Sequence, residues 1–364
     1  MRRPGTALLT LLFAVGCSSA PSSVSSPAPG VAAPGGAFDV IISGGRIVDG
    51  TGNASFPADV GIRGDRIAAI TPPGLLAQAA ARERIDATGM VVSPGFIDIQ
   101  SHSRGSFLGG GDGRVVSKVT MGVTTEIMGE ATTNGPSSPA MLEAAGGAVG
   151  RSVFETFGDW MTAMEEHGGS VNFGSFVGAT TIRVLGMGQA MAAAGDTELG
   201  AMRDAVRQSM EDGAFGVGSA LIYPPGNFAS TEELIAINEA AAPYGGVYIT
   251  HMRSEADNFL EAIDEAIEIG TRAGVPVEIY HLKAGGQRNW HKAAEAIAKI
   301  DSARAAGVDV QANMYPYTAG GTGLTACFPP WASADGKLFD NLADPGMRAR
   351  IRDEIENQTT DWEN

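Results

Sequence analysis

The chain has 364 residues, 44% of them hydrophobic and 18% charged, so it is long and apolar enough to bury a large core. Its 41 acidic and 25 basic side chains give a formal net charge of −16 at pH 7. The clustered Lys and Arg that would release counterions from a phosphate backbone are missing, which excludes nucleic acid as a partner.

At the start of the chain, Arg2 and Arg3 precede an apolar run from Ala7 to Val15 and then Gly16-Cys17-Ser18-Ser19. This is the layout of a secretory signal peptide, too short for a spanning helix. Ala14-Val15-Gly16-Cys17 resembles a bacterial lipobox, in which the cysteine is lipidated and becomes the mature N-terminus. The other reading is an ordinary cleaved signal with a chance cysteine. Residues 18–37, rich in Ser, Pro, Ala and Gly, read as a flexible tether. The expectation is an exported, periplasmic or cell-surface lipoprotein of a bacterium that meets the membrane only through a lipidated Cys17. The other cysteine is Cys327, so no disulfide framework is available and the fold depends on its core.

From Phe38 to about Val92 the pattern is short β-runs separated by turn residues: Asp39 to Ser43, Arg46 to Val48, Ala58 to Ile62 and Arg66 to Ile70. They predict a small β-subdomain over residues 38–92. From residue 93 the period changes to strand, loop and helix, repeated. The predicted strands are Val91 to Asp98, Val123 to Met128, Asn172 to Val177, Gly216 to Ala220, Gly246 to Thr250, Pro276 to Tyr280 and Asp309 to Met314. Amphipathic stretches such as Thr231 to Ala242, Asn258 to Ala273 and His291 to Ala306 lie between them. Repeated βα units imply an α/β fold with a parallel sheet and right-handed crossovers. A closed (β/α)8 barrel needs one strand more than these seven. Ala343 to Glu356 has a helical pattern and nothing after it reads as a strand. The expectation is therefore a barrel over residues 93–364 truncated before its last strand; the alternative is a last strand hidden after Ala334.

The residues that carry chemistry sit at strand ends. His251 closes Gly-Val-Tyr-Ile-Thr-His and His281 closes Pro-Val-Glu-Ile-Tyr-His, so two imidazoles are expected on one barrel rim, placed to bind a metal. His102 follows the first strand and supplies a third. Any one of them alone would be read as structural or surface; their joint placement points to a metallohydrolase. Glu130 ends the second strand and could ligate or bridge metals, against the bland reading of a solvated loop carboxylate. Glu126, inside that strand, is expected to face a structural partner. His167 and His291 are expected in solvent. Arg253 and Lys283 each lie two residues after a histidine, where strand alternation would turn them to the same face to meet an anionic substrate. Their other reading is salt bridges to neighbouring acids.

The motifs Pro94-Gly-Phe-Ile-Asp98, Gly122-Val-Thr-Thr125, Gly213-Ala-Phe-Gly-Val-Gly218, Leu221-Ile-Tyr-Pro-Pro225, His251-Met-Arg253, His281-Leu-Lys283 and Tyr315-Pro-Tyr-Thr318 through Pro329-Pro-Trp331 run through the chain in order. From Asp39 to Ala332 the sequence resembles the N-terminal two-thirds of the N-acyl-D-amino-acid deacylases, the D-aminoacylase family of the amidohydrolase superfamily. The resemblance implies a metal-dependent (β/α)8 barrel that hydrolyses the N-acyl amide of a D-amino acid, with zinc held by the two strand-end histidines and a ligand on the second strand. With Glu130 taken as that third ligand, one tight zinc is expected on His251, His281 and Glu130, and a doubtful second position at His102 and Gln100. Three departures accompany it. Gln100-Ser101-His102 stands where the family has His-x-His. Ala131 stands where a metal-binding cysteine is usual, with Glu130 beside it as the substitute ligand. The catalytic aspartate that the family carries after the eighth strand falls beyond Asn364, so these 364 residues alone are expected to be inactive. Lys283, Arg253, Tyr315 and Tyr223 are the candidates for holding a small N-acyl amino acid. Two other classes stay open: a cyclic amidohydrolase acting on a dihydropyrimidine or hydantoin, and a surface-tethered binding protein with impaired catalysis.

Overall fold

A computed structural model describes residues 36–108, 110–145 and 153–357; the signal peptide, Cys17 and the tether as far as Gly35 lie outside the described residues. The chain divides into two compact units, one ending at Pro94 and the other starting at Gly95.

In the first unit, strands β1 (Phe38–Ile47), β2 (Phe56–Arg63), β3 (Arg66–Thr71), β4 (Ala81–Asp86) and β5 (Val91–Val92) form one sheet. Its order is β3-β2-β1-β4, with β5 also pairing β1. The two predicted runs Asp39 to Ser43 and Arg46 to Val48 are one strand interrupted by a register shift between Ile42 and Gly45. Gly44 sits in this bulge at φ 72°, a backbone region that disfavours a side chain. Phe38, Ile41 and Leu76 are buried in one cluster, and Ile47, Ala58 and Val60 in another. β4 was not foreseen, because Arg82, Glu83 and Arg84 give it no apolar alternation and it lies largely exposed.

In the second unit the strands run parallel. They are β6 (Phe96–Asp98), β7 (Val123–Met128), β8 (Asn172–Ser175), β9 (Val177–Gly178), β10 (Gly216–Ala220), β11 (Val247–His251), β12 (Val277–Ile279) and β13 (Val310–Ala312). β6-β7-β8 form one sheet and β9-β10-β11-β12-β13 another, and only Phe176 separates β8 from β9. Counting β8 and β9 as one, the described residues contain the seven expected positions, in chain order. The predicted strand from Val91 to Asp98 is in fact two. Pro94 has no N–H to give a ladder, so Val91–Val92 pairs with β1 and Phe96–Asp98 pairs with β7.

Helices alternate with the strands. Thr231–Ala241 is capped by the Ser230 side chain, which accepts from the Glu233 N–H. Phe259–Ala273 buries Phe259, Ile263, Ala266 and Ile269 at helical spacing and stops at Gly274, in the left-handed conformation. Gly270 lets this helix approach β12 closely, since a Cβ there would stand 2.0 Å from a Val277 methyl. The predicted helix from His291 begins instead at Ala293, after a 3-10 turn over Gln287–Lys292. The chain then continues through helices Leu338–Ala343 and Pro345–Glu356. Among the described residues no strand follows Ala334, and none of the helices is long and apolar enough to cross a membrane.

Candidate metal centre

Each residue of the centre is positioned by the C-terminal end of a parallel strand. His251 is the last residue of β11, in register with Ala220 of β10, and its side chain is buried. His281 follows β12 by two residues at φ 38°, a sparsely populated conformation for a residue with a Cβ. It is held there by its backbone N–H, which donates to Asn313 Oδ1 at 2.7 Å. Glu130 follows β7 across Gly129, at φ 101°, where a Cβ would lie 2.1 Å from the Phe176 carbonyl oxygen. Only glycine lets the chain leave the strand so close to its neighbour.

These turns bring the three residues together: one donor atom from each of Glu130, His251 and His281 lies within 4.8 Å of the others. Glu130 Oε1 is 3.2 Å from His251 Nδ1 and 4.0 Å from His281 Nε2. The imidazoles stand edge to face with centroids 4.5 Å apart. The other Glu130 oxygen accepts from Gln100 Nε2 at 2.8 Å and lies 2.9 Å from His102 Nε2. Burial raises the Glu130 carboxyl, but the bonds from His102, His251 and Gln100 outweigh it and hold it well below the usual carboxylate range. His102 is raised by the same contact, and its side chain is largely exposed. Two buried imidazoles and an ionised carboxylate are a donor set that suits zinc with a position left open. Glu126 accepts from Ser101 Oγ at 2.7 Å and has no part in the cluster.

The cluster lies in a cavity of about 660 Å³ lined also by Gln100, His102, Arg104, Tyr223, Lys283 and Tyr315. Tyr223 packs edge-on to His251 with centroids 5.5 Å apart and shares a hydrogen bond with Thr322 Oγ1 at 2.9 Å. Lys283 Nζ stands 5.6 Å over the Tyr315 ring.

Arg253 is a correction. Its guanidinium donates to both Glu265 oxygens and to the carbonyls of Asn227 and Ala229 at 2.9–3.2 Å, and it does not line the cavity. Strand alternation ends with β11 at His251, so the two-residue spacing carried no facing information beyond it.

Two residues of the site were missed. Glu255 is buried with Oε1 2.6 Å from Lys283 Nζ and 3.0 Å from His281 Nδ1, and its other oxygen is 3.7 Å from His251 Nε2. Burial raises its carboxyl, and His281, His251 and Lys283 together bring it below its ordinary value. The signal available was its place four residues after His251. Arg104 lies two residues after His102 and reaches the cavity wall, with Nη2 donating to Thr132 Oγ1 at 2.8 Å and Nη1 to Asn134 Oδ1 at 3.3 Å.

No protein-family model matches the chain. D-aminoacylase of Alcaligenes xylosoxydans xylosoxydans is 38% identical over 294 residues, 79% of this chain and 59% of that protein. Crystal structures of a D-aminoacylase, one described as defining a novel subset of amidohydrolases and another as having a binuclear metal centre with one-metal activation, superpose with a TM-score of 0.70. They share 38% identity over 78% of this chain and 59% of theirs. An N-acyl-D-glutamate deacylase of Bordetella bronchiseptica, complexed with zinc and a phosphonate inhibitor, gives a TM-score of 0.69 at 32% identity over the same shares. The chain thus spans about three fifths of the length of these relatives. Over the residues they match, the chain is similar in sequence and in its α/β fold to the D-aminoacylase and N-acyl-D-glutamate deacylase amidohydrolases.

Proposed function

We propose that this protein hydrolyses the N-acyl amide of N-acyl-D-amino acids, giving a D-amino acid and a carboxylate, with one tight zinc on Glu130, His251 and His281. The observation that carries the reading is the convergence of those three ligands with Lys283 and Tyr315 in one cavity. A relative with one-metal activation agrees with a single tight site, and a zinc-containing relative agrees with the choice of metal. Zinc in such a site supplies Lewis acidity, polarising an amide carbonyl and lowering the pKa of water to about 7.

The chain's own residues would do the rest. Lys283 presents a cation beside the metal ligands, held in place by Glu255, and the Tyr315 ring lies against it. This pair would take the substrate carboxylate and so fix the amide over the cluster. Tyr223 closes the wall next to His251 and would order the acyl group by contact. We also propose that the protein is exported and anchored through Cys17, on the strength of the basic start and apolar run that precede it.

The test is zinc content together with turnover. A full-length form that includes the sequence downstream of Asn364 should carry about one equivalent of zinc and prefer N-acetyl-D- over N-acetyl-L-amino acids, and His281→Ala should lose the metal. Stoichiometric zinc and full activity in His281→Ala would refute the site.

A further inference from the structure

Each ligand histidine lies between two carboxylates. His251 presents Nδ1 to Glu130 at 3.2 Å and Nε2 to Glu255 at 3.7 Å. His281 presents Nε2 to Glu130 at 4.0 Å and Nδ1 to Glu255 at 3.0 Å. One nitrogen of each ring therefore faces the metal cluster and the other faces Glu255. Glu255 is buried, and its place on the loop after β11 is fixed by its backbone. Its carbonyl accepts from the Gly285 N–H at 2.5 Å, and beside it Ser254 Oγ accepts from the N–H groups of Ala256 and Asn258.

A neutral imidazole has one N–H and one lone pair, so it binds a metal through the cluster-facing nitrogen only when the other nitrogen carries the proton. At His281 two groups compete for that outer nitrogen. Lys283 Nζ is 3.0 Å from Nδ1 and can only donate, which favours a proton on Nε2, the tautomer that cannot hold a metal there. Glu255 Oε1 is equally close to Nδ1, and a carboxylate can only accept, which favours the proton on Nδ1. The same oxygen takes the Lys283 ammonium at 2.6 Å, and a bond to an ionised group is stronger than one to a neutral ring nitrogen. Building on the zinc reading above, we infer that Glu255 is a positioning residue that holds the His281 proton on Nδ1 against Lys283 and so keeps Nε2 as a metal donor. The cation proposed for the substrate carboxylate can then stand beside a metal ligand without disabling it.

The test is zinc affinity, read by competition with a chelator and without substrate, in a full-length form that includes the sequence downstream of Asn364. Glu255→Ala should weaken zinc binding about 10- to 100-fold, as the loss of a carboxylate behind a ligand histidine does. Glu255→Gln, whose amide oxygen still accepts, should keep part of the affinity. Removing the competitor as well should help: Glu255→Ala/Lys283→Ala should regain about tenfold over Glu255→Ala, a coupling usual within one hydrogen-bonded network. A merely structural role for Glu255 would give the opposite, because a second truncation would loosen the site further. In the metal-free protein, at a pH where the ring is neutral, the nitrogen NMR shifts of His281 should report Nδ1–H in the wild type and Nε2–H in Glu255→Ala. Nε2–H in the wild type overturns the inference without any variant. So does wild-type zinc affinity in Glu255→Ala, or a double variant no tighter than the single one. Zinc affinity indifferent to Glu255 leaves the metal reading standing and removes this inference alone. A wild type that binds no zinc removes both.

Discussion

Arg253 and Lys283 hold equivalent places in the sequence, two residues after a strand-end histidine, yet the structure gives them different work. Arg253 ties the loop after β11 to Glu265 on helix Phe259–Ala273 and to the carbonyls of Asn227 and Ala229. Lys283 stays in the cavity, because Glu255 and His281 hold its ammonium there. The two substitutions should therefore separate. Arg253→Ala should lower the free energy of urea unfolding by about 1–2 kcal/mol, a partly exposed pair counting for less than a buried one, with KM nearly unchanged. Lys283→Ala should raise KM about tenfold or more, in line with the loss of a charged hydrogen bond. A large KM effect in Arg253→Ala would return that residue to the binding site. The site was legible in part: Glu130, His251 and His281 could be named because they end apolar β-runs. Glu255 and Arg104 could not, since Glu255 sits on a loop and Arg104 opens the short helix Arg104–Phe107, and the placement of both depends on contacts distant in sequence.

Among the strands, the two outermost of the second unit stand apart. β6 pairs only with β7 and β13 only with β12 among the described residues. Phe96 and Ile97 are about two-thirds exposed, and Met314, just after β13, is 78% exposed. Apolar side chains beside unpaired backbone groups invite association with another chain. Ile97→Lys should therefore reduce self-association, read as a lower average mass by light scattering at matched concentration. A wild type that is monodisperse at every concentration would remove the basis for this expectation. The central strands were readable as β-branched and apolar runs, because they are covered on both faces. β4 was not, because its charged residues join the sheet through backbone hydrogen bonds that no side-chain pattern reports.

For the molecule as a whole, net charge and the N-terminal segment make one further prediction. A surface carrying −16 has no electrostatic attraction to anionic lipid, so membrane attachment would depend on an acyl chain at Cys17. Cys17→Ser should abolish lipid labelling and move the protein to the soluble fraction, since each buried CH₂ of such a chain supplies about 0.8 kcal/mol. Recovery of the uncleaved wild-type chain from the cytoplasm would end the idea. The sequence by itself determined the α/β class, the order of the parallel strands and the metal-ligand candidates at their ends, because strand periodicity and turn residues are local properties of the chain. Only the tertiary structure decided which cations face the cavity, that Glu255 joins both histidines, and that the run from Val91 to Asp98 splits at Pro94 into two strands of different sheets. Those outcomes depend on where loops go after a strand stops and on partners as far apart as Glu130 and His251, which no local pattern encodes.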